Sequence, residues 1–183
     1  RIPLAGPANR QGRVAGENAA GGFANYSGAM GTAIVRVHDA TLAITGLSPK
    51  QIESSGLSFF RSTTKDLSHA GYYPGATAIT TRVFIEEGTG ILLGAQVLGE
   101  EGVDKRIDVI ATAMRGGITA PELADLELAY APPFGSAKDP INTLGYIAEN
   151  MMSGLLETAQ WSQIDEFEDR GFQLVDVRTS SEY

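Results

Sequence analysis

Two apolar runs, residues 78–86 and 90–98, meet across Gly88, Thr89 and Gly90, and this junction constrains the fold more than any other feature. Glycine accepts the positive φ that a tight reversal needs, so the phrase predicts a β-hairpin and hence antiparallel neighbours. Further runs extend the sheet. Residues 32–38 alternate, with Ile34 and Arg36 on one face and Val35 and Val37 on the other; residues 40–45 read as a partner strand and 57–64 as another. The count comes to about five antiparallel strands.

Helical signals surround them. Ser48-Pro49-Lys50-Gln51 is a capping box opening a short helix that Gly56 closes. Val103, Ile107, Ile110, Ala111 and Met114 form one apolar stripe, stopped by Gly116 and Gly117. Thr119 and Glu122 make a second capping box leading to Leu123, Leu126 and Leu128, and Leu144, Ile147, Ala148 and Met151 line a helix over about 140–153. At the start, residues 1–7 read as a loop and 8–20 as a helix of small residues ended by Gly21 and Gly22. Its first turn offers free N–H groups and a partial positive charge, suited to an electron-rich oxygen or to close packing alone. The expected class is α+β, with helices on one side of an antiparallel sheet.

The 22 acidic and 14 basic side chains give a net charge of −8, which argues against nucleic acid or an anionic membrane as the main partner. No apolar run approaches a membrane span and no signal-peptide pattern opens the chain, so a cytoplasmic globular protein is expected. The absence of cysteine removes disulfides, thiolate metal sites and any cysteine nucleophile from these residues. The chain starts without Met, and residues 172–177 read as a buried strand whose neighbours lie elsewhere; a piece of a longer protein is expected.

Chemistry concentrates in the arm at residues 128–140, which holds three of the eight prolines and cannot be helical. Pro132 and Pro133 stiffen it, holding Tyr130 and Phe134 in set directions, and Asp139-Pro140 restarts a helix as N-cap and first residue. A second stiff loop, residues 68–75, displays Tyr72 and Tyr73. A phenol titrating near ~10 stays protonated at neutral pH and can donate to a thiolate; surface tyrosines of a packing patch are the alternative. His69 reads as a solvated turn residue or a base. Arg36, Arg61, Lys65 and Arg82 read as cations balancing an acidic surface. Asp104, Lys105, Arg106 and Asp108 read as a solvated helix face, and Gly94, Gly99 and Gly102 show no phosphate-loop spacing.

Three phrases carry a family resemblance: residues 2–13 (Ile-Pro-Leu-Ala-Gly-Pro-Ala-Asn-Arg-Gln-Gly-Arg), Gly28-Ala-Met-Gly-Thr32, and His69-Ala-Gly-Tyr-Tyr-Pro-Gly75. Together they resemble the pyridine nucleotide-disulfide oxidoreductases, in the branch of coenzyme A-disulfide reductase, NADH oxidase and NADH-dependent persulfide reductase. Residues 176–183 resemble the opening of a rhodanese domain, which some reductases of this branch carry. The resemblance implies that residues 1–23 end an FAD-binding domain, that 24–153 are the dimerisation domain, and that 154–183 are a linker and the start of a rhodanese domain. It implies FAD near Leu4, Ala5, Ala8, Asn9 and Phe134, and a homodimer in which Tyr72 and Tyr130 serve the partner subunit's active site, with Tyr73 as the other candidate for Tyr72. Electrons would pass from NAD(P)H through FAD and a cysteine to coenzyme A disulfide, persulfide or polysulfide. A water-forming NADH oxidase and a non-catalytic dimerisation module are the alternatives. The redox cysteine and the dinucleotide-binding glycine motifs are not in these residues, so the chain alone is expected to hold FAD weakly and to be inactive.

Overall fold

A computed structural model describes residues 2–180 of the chain. Five strands form one antiparallel sheet: β1 (Ala33–Val37), β2 (Ala40–Gly46), β3 (Phe59–Leu67), β4 (Ala78–Glu86) and β5 (Leu92–Gly99), in the order β1-β2-β5-β4-β3. The β4–β5 hairpin forms where its glycines require it. Gly88 and Gly90 have φ of 79° and 74°, and Glu86 N–H donates to Ile91 O at 2.9 Å. Around the sheet lie α1 (Ala5–Ala19), α2 (Pro49–Ser55), α3 (Val103–Gly116), α4 (Pro140–Met152) and α5 (Ile164–Asp169).

The sheet is two-faced because its side chains alternate. Ile79, Val83, Ile85, Ala95 and Val97 pack with Val103, Ile107 and Ile110 of α3 and Leu144 and Ala148 of α4 in one core. The opposite face at β1, β2 and β5 presents Val35, Val37, Leu42, Ile44 and Leu98, all exposed. That face turns polar toward the edge strand β3, where Arg61 stacks over Phe59 at 5.3 Å and donates to Gln160 Oε1 at 3.3 Å. Helices α3 and α4 cover the core face.

Four expectations need correction. Helix α1 begins at Ala5, not residue 8, because Pro7 falls in the first turn, where no N–H is needed, and Ala8 N–H already bonds Leu4 O at 3.1 Å. Only half of the Thr119–Glu122 box forms: Glu122 Oε2 accepts from Thr119 N–H at 2.7 Å and from its hydroxyl at 2.6 Å, no side chain caps the turn in return, and a 3₁₀ turn follows (Pro121–Asp125). The Asn142 amide nitrogen lies 3.1, 3.2 and 2.9 Å from the carbonyl oxygens of Leu123, Ala124 and Leu126, where that turn ends. Residues 173–177 are not a strand. Among the described residues no strand pairs with them, and Leu174, Val175 and Val177 stand exposed. Residues 181–183 of the rhodanese-like phrase lie outside the described residues.

The fourth correction concerns Arg106. It is 1% exposed, and its guanidinium meets Asp139 twice, Nε to Oδ1 at 3.2 Å and a terminal nitrogen to Oδ2 at 2.8 Å. Asp139 is itself the N-cap of α4, accepting from Ile141 N–H at 3.2 Å, and Asn142 Oδ1 accepts from Asp139 N–H in return. One carboxylate thus joins two helices. Breaking one partner of a buried ion pair leaves an uncompensated charge, at a cost of about 3–5 kcal/mol. Asp139→Ala is accordingly expected to lower unfolding free energy by about that amount in urea titration; a loss below about 1 kcal/mol would show the pair to be dispensable.

Candidate functional site

Both tyrosines sit on segments fixed from several directions. Past β3, Ser68 N–H donates to Thr77 O at 2.8 Å and Thr77 N–H to Ser68 Oγ at 3.1 Å, closing the base of the loop. Within it Tyr73 N–H donates to Ala70 O at 2.9 Å, a reversal that directs Tyr72 outward. The arm folds on its own proline turn, with Phe134 and Gly135 N–H groups donating to Ala131 O at 2.8 and 3.2 Å. A single backbone bond then ties the two segments: Ala70 N–H donates to Gly135 O at 2.9 Å.

This framework brings the phenol oxygens of Tyr72 and Tyr130 to 2.7 Å although they are 58 residues apart in the chain. That is an ordinary O–H···O distance, so one hydroxyl donates to the other and the remaining O–H is free to donate outward. Tyr72 is 76% exposed and Tyr130 47%, so the pair stands at the surface and not in the core. Tyr73 goes elsewhere, edge-on to His69 with ring centres 5.7 Å apart. His69 Nδ1 lies 3.2 Å from Ala70 O, a contact that uses Nδ1 as a donor. Phe134, on the same arm as Tyr130, is exposed.

Leu4, Ala5, Ala8 and Asn9 occupy the first turns of α1. No side chain caps that helix end, and Ala5, Ala8 and Asn9 are exposed. Among the described residues no hydrogen bond links them to the tyrosine pair. Lys105, read as solvated, instead meets the arm: Nζ lies 3.3 Å from Phe134 O and 3.5 Å from Asp139 Oδ2. With Arg106 and Asn142 it makes up the part of the site that charge patterning missed. A signal was available, because two adjacent cations in a first helical turn oppose the helix dipole. No helix among the described residues is long and apolar enough to cross a membrane.

Residues 32–140, more than half of the chain, match the dimerisation domain of the pyridine nucleotide-disulphide oxidoreductases. The chain belongs to that family. The coenzyme A disulfide reductase of Staphylococcus epidermidis is 37% identical over 150 residues, which are 81% of this chain and 34% of that protein. The crystal structure of reduced Bacillus anthracis CoADR-RHD superposes with a TM-score of 0.94 at 45% identity, covering 99% of this chain and 33% of that one. An NAD-dependent persulfide reductase from A. fulgidus gives 0.82 at 42% identity, covering 85% of this chain and 29% of that one. A water-forming NADH oxidase from Lactobacillus brevis, 21% identical with a TM-score of 0.79 over 85% of this chain and 35% of that one, shares the fold. The chain thus spans about a third of the length of these relatives.

The hydrogen bond between Tyr72 and Tyr130 raises the Tyr72 pKa above its ordinary 10.0, with desolvation and repulsion between two phenolates adding to it. A raised value means that the neutral phenol is favoured in the folded protein. The pair is therefore intact throughout neutral pH and is lost only as pH climbs through the raised value. With tyrosines labelled at ¹³Cζ, NMR titration should show Tyr72 ionising above 10.0, and Tyr130→Phe should bring it back toward that figure. Identical titrations in both proteins would rule out the coupling.

Proposed function

We propose that this chain is the dimerisation portion of an FAD-dependent reductase that acts on coenzyme A disulfide or on persulfide or polysulfide sulfur, with NAD(P)H as electron source. In this reading residues 1–23 end the FAD-binding domain, 24–153 are the dimerisation domain, and 154–183 are a linker with the start of a rhodanese domain. The observation that carries it is the Tyr72–Tyr130 pair, two protonated phenols fixed at 2.7 Å on a surface that the chain's own core does not use. Such a pair suits a sulfur centre supplied by another part of the assembly, since these residues contain no cysteine.

The chemistry of the pair follows from acidity. A cysteine thiolate attacking a coenzyme A disulfide breaks the S–S bond and releases a coenzyme A thiolate, on which negative charge collects. A thiol titrates near about 8.5 and a tyrosine near about 10, so full proton transfer from phenol to thiolate is uphill. Hydrogen-bond donation to the leaving sulfur is therefore favoured over transfer, from whichever of the two hydroxyls is not already donating to the other.

The start of α1 fits a flavin edge: an uncapped helix N-terminus flanked by the exposed small residues Ala5 and Ala8, with Leu4 and Asn9 beside them. FAD, when bound, supplies the redox step between nicotinamide and sulfur. The chain's part is to present N–H groups and partial positive charge there, with Phe134 on the arm. Tyr72→Phe and Tyr130→Phe in the intact flavoenzyme are expected to lower disulfide reduction on the order of 100-fold while NADH-driven oxygen consumption persists. Unchanged disulfide reduction in both variants would reject the assignment.

A second reading, a module that only dimerises, draws on the open apolar face of Val35, Val37, Leu42, Ile44 and Leu98. Both readings expect a homodimer by light scattering, and a strict monomer at high concentration would count against each.

A further inference from the structure

Lys105 is the third residue of α3, where a cation faces the positive end of the helix dipole. A lysine with no task there would turn its ammonium into water. Instead its Nζ approaches Ala129 O at 3.5 Å, Phe134 O at 3.3 Å and Asp139 Oδ2 at 3.5 Å. The two carbonyls accept hydrogen bonds from the ammonium and the carboxylate completes an ion pair with it. They also span the arm: Ala129 directly precedes Tyr130, Phe134 closes the proline turn, and Asp139 opens α4.

The arm needs such a donor. Pro132 and Pro133 have no N–H, and the turn directs the Phe134 and Gly135 N–H groups to Ala131 O. No described backbone N–H donates to Ala129 O or Phe134 O. Gly135 leaves the ammonium room, since a Cβ there would stand 3.3 Å from Nζ. Gly135 O in turn accepts from Ala70 N–H, two residues before Tyr72.

We infer that Lys105 is a positioning residue for Tyr130: its ammonium gathers the arm's oxygens and thereby sets the bearing of that phenol toward Tyr72. The geometric claim stands on these distances alone, and its consequence for turnover rests on the function proposed above. Arg106 anchors the end of the arm to the core, whereas half-buried Lys105 shapes the turn. Its removal is therefore expected to leave the fold in place.

Two readouts on the intact protein separate the claims. In Lys105→Met, the ¹³Cζ titration of Tyr72 should fall back toward 10.0, because Tyr130 no longer holds its distance. Turnover of coenzyme A disulfide should drop on the order of tenfold in kcat, with KM for the nicotinamide unchanged. Gly135→Ala, which presses on the ammonium, should move both in the same direction to a smaller extent, and it decides the matter if Lys105→Met does not fold. A Tyr72 titration unchanged in the folded variants overturns the positioning role, whatever the turnover. If Tyr72→Phe and Tyr130→Phe are both silent in turnover, the proposed function fails instead, and the titration still decides the role of Lys105.

Discussion

The buried contact between Arg106 and Asp139 is what the arrangement at the helical end of the molecule depends on. A buried ion pair is weak grounds for claiming net stability, because desolvating two charges costs nearly what their attraction returns. Its value here is geometric. A planar guanidinium accepts one orientation of a carboxylate, and this carboxylate also starts α4. The start of α4 is thus fixed relative to α3, and the arm that enters it inherits that fixed end. A hydrophobic pair could fill the same volume without defining the angle.

From that end the order propagates backward through the chain. Lys105 holds carbonyls on either side of the proline turn, and the turn offers Gly135 O to the loop that carries Tyr72. Neither tyrosine is fixed by apolar packing of its own ring, since both stand at the surface. Their meeting is the outcome of backbone placement. Rigidity thus comes from the core under α3 and α4, while the two phenols stay exposed at the surface.

What the sequence disclosed follows the range of the interactions involved. The hairpin at Gly88 and Gly90, the box at Ser48 and Gln51, and the cap at Asp139 are decided by residues within a few positions of one another, and each forms where expected. Lys105 and Arg106 defeat local charge spacing because their partners on the arm and α4 lie between 24 and 34 residues further on. The contacts of Asn142 are invisible locally for the same reason, since its amide meets carbonyls 16 to 19 residues earlier in the chain. The run at 173–177 has the composition of a strand, yet a strand exists only through a neighbour. Tyr72 and Tyr130 were singled out by stiff loops and by family resemblance; periodicity alone would have left them unconnected.

The tether between Arg61 and Gln160 bears on how this sheet meets other molecules. Strand β3 is a nine-residue border whose free backbone groups could recruit a foreign strand. A guanidinium lying across Phe59 and tied to the outgoing chain, with exposed Lys65 four positions along, puts charge and bulk at that margin. Lateral stacking of sheets into fibres is disfavoured there.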